Sequence, residues 1–79
     1  MEKTILLVDD EIEIIDIQKR YLIQAGYQVL VAHNGLEGLK IFQKKPVDLI
    51  ITDIMMPKMD SYDFISEVQY LSPDQPFLF

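Results

Sequence analysis

The sequence predicts an α/β fold built on a doubly wound, mostly parallel sheet, and three observations predict it. Ile5-Leu6-Leu7-Val8, Val29-Leu30-Val31 and Leu49-Ile50-Ile51 are short continuous apolar runs, as in strands buried on both faces. Between them lie stretches with apolar residues three or four apart, the spacing of one helix face. Turn and breaker residues stand at the junctions: Gly26, Asn34-Gly35, Pro46, and Pro73 to Pro76. Strands alternating with helices in this way join by right-handed crossovers into a parallel sheet.

Each element follows from its residues. The first strand is Ile5 to Val8. From Ile12 the pattern becomes helical, with Ile12, Ile15, Lys19 and Leu22 in one row and Ile14, Ile17, Tyr21 and Ala25 in the next. The isoleucines here are read most simply as core packing, although they exceed what one face needs. Gly26 suits the C-terminal stop. Tyr27 to Ala32 holds the second strand, and Asn34-Gly35 is a turn and a candidate N-cap. Leu36, Leu39, Ile41 and Phe42 mark a shorter helix that ends in Lys44-Lys45, where positive charge suits the dipole. Pro46 stops it. Val47 to Thr52 holds the third strand, and Met55 to Asp60 is a loop carrying Pro57. Phe64, Ile65, Val68 and Leu71 mark a third helix, broken by Pro73-Asp74-Gln75-Pro76. Phe77-Leu78-Phe79 begins a fourth strand. The predicted order is βαβαβαβ, one domain over residues 1–79.

Composition narrows the function. With 79 residues, the chain allows one small domain. It has no cysteine and one histidine, His33, which excludes disulfides, cysteine zinc sites and multi-histidine metal sites. Thirteen acidic residues against seven basic give a net charge of −6, which argues against a nucleic-acid-binding surface in this segment. No apolar run approaches the ~20 residues that span a bilayer, and the start is too short for a signal peptide. A cytoplasmic domain without membrane contact is expected.

Chemistry is expected at the carboxyl ends of the strands, where ligands sit in open sheets of this class. The first strand ends in Asp9-Asp10-Glu11 and the third in Asp53. Taken alone, Asp-Asp-Glu after a strand is the pattern of an N-cap with first-turn acids. Together, two strands deliver carboxylates to one rim, where unshielded negative charges repel each other. A hard divalent cation, Mg²⁺ above all, relieves that repulsion and lets a phosphoryl group approach. The residues therefore point to Mg²⁺-dependent phosphoryl transfer to a carboxylate, with Asp53 as nucleophile.

Leu6-Leu7-Val8-Asp9-Asp10-Glu11 and Asp48-Leu49-Ile50-Ile51-Thr52-Asp53-Ile54-Met55-Met56-Pro57-Lys58-Met59-Asp60 together resemble the receiver domain of bacterial two-component response regulators. Gly26-Tyr27 and Ala32-His33-Asn34-Gly35 are similar to that family too. The resemblance runs from Lys3 to Phe79. It implies a flavodoxin-like fold with strand order 2-1-3-4-5. It implies Asp53 as phosphoacceptor, taking a phosphoryl group from a sensor histidine kinase, in a signalling domain that is not a free-standing enzyme. It also implies Asp9 and Asp10 as the acidic pair that, together with Asp53, binds Mg²⁺ or another divalent cation, Asp10 most directly. Met55 would offer its backbone carbonyl to the metal and Pro57 would shape the loop. The kinase would dock around the first helix.

Two departures from the family pattern stand out. Ser61 occupies a position that is usually Gly, and is read as a tolerated helix-start residue. The chain also resembles only the first four strands and three helices, a truncated receiver. The expectation is that the last helices, the fifth strand, and the Ser/Thr and Lys that sense and pair with the phosphoryl group are absent. Impaired phosphorylation and switching would follow. So would exposure of Leu49, Ile51, Phe77 and Phe79 on one face or the other, and self-association through the open edge and face. The alternative reading is a non-phosphorylatable interaction or dimerisation module derived from a receiver.

Other classes fit less well. A haloacid-dehalogenase-like phosphatase wants a second Asp two residues after the nucleophile, where Met55 stands. Asp9-Asp10-Glu11 would repel the phosphate of a flavin nucleotide, and no G-x-G-x-x-G is present for a dinucleotide. His33, beside a turn, is read as solvated.

Overall fold

The computed structural model describes residues 2–52 and 61–78. They form β1 (Thr4–Val8), α1 (Ile12–Gln24), β2 (Gln28–Ala32), α2 (Gly35–Lys44), β3 (Leu49–Thr52), α3 (Ser61–Leu71) and β4 (Phe77–Leu78). The described strands make one parallel sheet in the order β2-β1-β3-β4. This is the predicted element order. Ser61 opens α3, in keeping with its reading as a helix-start residue.

Local chemistry sets the boundaries. At the end of α1 the Gly26 N–H donates to the Ile23 carbonyl at 3.0 Å and the Tyr27 N–H to the Leu22 carbonyl at 3.1 Å. This paired pattern needs a left-handed residue between helix and strand, and Gly26 supplies it at φ +97°. α2 begins at Asn34, whose Oδ1 accepts the Glu37 N–H at 2.9 Å, the side-chain cap expected there. α1 begins differently. Its N-cap residue is Glu11, which makes no side-chain cap bond. The starts of β1 and β3 are clamped together, with the Thr4 N–H donating to Asp48 Oδ2 at 2.7 Å and the Asp48 N–H to the Thr4 carbonyl at 2.8 Å.

Alternation along the strands divides the apolar residues between two faces. On one, Leu6, Val8, Ala32, Ile50, Phe64 and Val68 form a buried core, with Leu30, Leu39, Ile41, Phe42, Val47, Ile65 and Phe77 packed around it. α2 and α3 cover this face. Phe64 meets Phe77 edge to face, with ring centroids 6.4 Å apart. α2 comes close enough at Gly38 that an added Cβ would lie 3.0 Å from Val8 Cγ2 and 3.2 Å from Phe64 Cε1.

The other face carries Ile5, Leu7, Leu49, Ile51 and Leu78. α1 packs here, and Ile5, Leu7 and Ile15 are buried. The core-packing reading of the α1 isoleucines is corrected at most positions: Ile12, Ile14, Ile17 and Ile23 are exposed, as is Tyr21. One helix buries only the stripe that touches the sheet, here Ile15 flanked by the half-buried Gln18 and Leu22. Exposure at the sheet edge is met in part. Leu49, Ile51 and Phe77 are half-buried, whereas Leu78 is 55% exposed. Phe77 pairs in register with Ile50 and shares its closed face, whereas Leu78 pairs with Ile51 on the open one. Phe79 lies outside the described residues.

Candidate functional site

The predicted rim lies at the carboxyl ends of β1 and β3. Val8 pairs with Thr52 across the two strands and with Ala32 across β1 and β2. Val8 and Thr52 immediately precede Asp9 and Asp53, so the parallel register ends both strands at the same level. Both are buried, Val8 at 1% exposure and Thr52 at 3%. A buried base of this kind holds the strand ends in fixed relation to one another.

Asp9 is half-buried and Asp10 and Glu11 are exposed. The Asp9 N–H donates to the Ala32 carbonyl at 3.1 Å, extending the β1–β2 ladder by one residue. Asp9 Oδ1 accepts the Glu11 N–H at 2.9 Å, which orients that carboxylate within the turn into α1. The N-cap pattern of Asp-Asp-Glu is therefore met only in part. Asp9 caps the turn, Glu11 holds the N-cap position, and Asp10 stands between them on the surface. Asp53 and Met55, with Pro57, lie outside the described residues. Among the described residues no group of three or more acidic, histidine or cysteine side chains is gathered closely enough to hold a metal ion. What Asp9 and Asp10 offer is oxygen donors only, in a partly solvated setting. Mg²⁺ suits such donors, because it keeps several waters and takes one or two carboxylates.

One neighbour of the rim was only partly legible. His33, after β2, is exposed as expected, and its Nδ1 lies 3.2 Å from Glu37 Oε1, one helical turn on. The i,i+4 spacing of the two residues was the available signal.

The described residues thus put an acidic pair at a strand end of an open parallel sheet with helices on both sides. Comparison with known proteins supplies the family. The response regulator receiver domain matches residues 5–79, and the chain belongs to that family. It is 41% identical over 68 residues to the response regulator GtcR of Aneurinibacillus migulanus, covering 86% of this chain and 28% of that protein. The chain thus spans less than a third of the length of that relative. The chemotaxis response regulator CheY4 of Vibrio cholerae superposes with a TM-score of 0.93 at 35% identity, covering 98% of this chain and 66% of the other. The response regulator TrrA of Thermotoga maritima, solved with Mg²⁺ and BeF, superposes with a TM-score of 0.90 at 37% identity, covering 95% of this chain and 65% of that one. TrrA has also been solved in complex with the histidine kinase ThkA. These likenesses show the flavodoxin-like fold of the family. Among the described residues no helix is long and apolar enough to cross a membrane.

Proposed function

We propose that residues 1–79 act as one receiver unit in which Asp53 accepts a phosphoryl group from the phosphohistidine of a sensor histidine kinase. The observation that carries this reading is the register of β1 against β3, which brings the residues before Asp9 and Asp53 to adjacent positions. The carboxylate of Asp53 attacks phosphorus, the bond to the kinase imidazole breaks, and an acyl phosphate forms on Asp53. Asp10, Asp9 and Asp53, with the backbone carbonyl of Met55, would hold Mg²⁺. When bound, the ion offsets charge on the phosphoryl oxygens and the acidic rim. Asp10 is the freer donor, being exposed; Asp9 has one oxygen engaged by the Glu11 N–H and would act at least partly through water. The complex of TrrA with ThkA supports a kinase as partner, and the exposed Ile14 and Ile17 offer it an apolar docking row. The setting we infer is the cytoplasm.

The experiment is labelling with a small acyl phosphate donor, with and without Mg²⁺, read by intact mass. Metal-dependent addition of one phosphoryl group, lost in Asp53→Asn and weakened in Asp10→Asn, is expected. Labelling that survives Asp53→Asn overturns the assignment. Ile14→Asp is expected to slow transfer from the cognate kinase while leaving labelling by the small donor unchanged.

A second reading is a module that self-associates without being phosphorylated. The half-open sheet face favours it: Leu49 and Ile51 are half-buried, and Leu78, in the two-residue edge strand β4, is exposed. Mg²⁺ binding without labelling, together with a dimer in sedimentation at micromolar concentration, would select this reading. A monomer that becomes labelled would select the first.

A further inference from the structure

We draw no further inference here: the strongest candidate, the apolar groove of about 420 Å³ beside α1 on the open face of the sheet, lined by Ile5, Leu22, Tyr27, Leu49, Ile51 and Leu78, carries nothing beyond the self-association already proposed, because nothing in the structure shows what covers it.

Discussion

Leu6, Val8 and Ile50 on one face of the sheet are at most 1% exposed, while on the other face Leu49 and Ile51 are half-buried and Leu78 is 55% exposed. The residue types on the two faces are alike, so hydrophobicity does not separate them. Coverage does. Two helices, α2 and α3, close the first face, and α3 reaches β4 through the contact of Phe64 with Phe77. On the second face α1 lies against β2, which leaves the β3–β4 half as a groove. The comparison teaches that a strand reading as uniformly apolar can be sealed on one side and open on the other. It also says where stability resides, because only side chains removed from water contribute the full transfer free energy.

The largest test of this contrast is Phe64→Ala. The ring is fully buried at 0% exposure, and truncation leaves a cavity between α2, α3 and β4. A loss of about 3–5 kcal/mol is expected. In so small a domain that can abolish cooperative unfolding in urea. Retention of a sharp transition at nearly the original midpoint would mean that the closed face is not the stabilising one.

Gly38→Leu probes the same face from the helix side. A Cβ would meet Val8 and Phe64 at 3.0 and 3.2 Å, and the rest of a leucine has no room without displacing them. Overpacking of this kind costs about 1–3 kcal/mol, against which leucine returns somewhat under ~1 kcal/mol of helix propensity. A lowered urea midpoint is the expected outcome. Because Val8 leads into Asp9, weaker Mg²⁺ binding in the folded fraction would sharpen the link between this packing and the rim.

A third comparison sets the two helix starts against each other. Asn34→Ala removes the cap on the Glu37 N–H and should cost about 1 kcal/mol. Glu11→Ala, at an N-cap that makes no side-chain bond, should change stability by less than about 0.5 kcal/mol. Equal effects in thermal unfolding would contradict the described difference.

The smallest effect is expected at the open face. Leu78→Ser replaces a side chain already mostly in water, and a stability change within about 0.5 kcal/mol follows for the monomer. A destabilisation above ~2 kcal/mol, dependent on protein concentration, would show instead that Leu78 is covered by another chain.

Much of the architecture was legible because it rests on local signals. Gly26 marks a helix end since a positive φ is inexpensive only for glycine, and the chain uses it there. Asn34 marks a helix start since a short side-chain acceptor can reach the N–H three residues on. The apolar runs at Ile5, Val29 and Leu49 became strands with nearly the expected limits. At the site, the strand-end position of Asp9 and Asp10 was readable, whereas the engagement of Asp9 Oδ1 by Glu11 was not, since it depends on how the turn into α1 is held. Asp53 and Met55, the other half of the proposed site, rest on the motif and on family membership. That α1 carries more isoleucines than one face needs was legible, but not which of them stay in water, because spacing alone does not say how wide a stripe the sheet will cover.

By itself the sequence determined the alternation of strands and helices, their stops, and the delivery of carboxylates to the strand ends, because each depends on side-chain periodicity or on a backbone preference within a few residues. Only the tertiary structure decided which face of β3 and β4 is sealed, that Phe77 turns inward beside Ile50 while Leu78 faces out beside Ile51, and that α1 buries Ile15 and leaves Ile14 and Ile17 in water. Those outcomes depend on which helix lies over which strand. That is set by long-range packing between segments far apart in the chain, which no local pattern encodes.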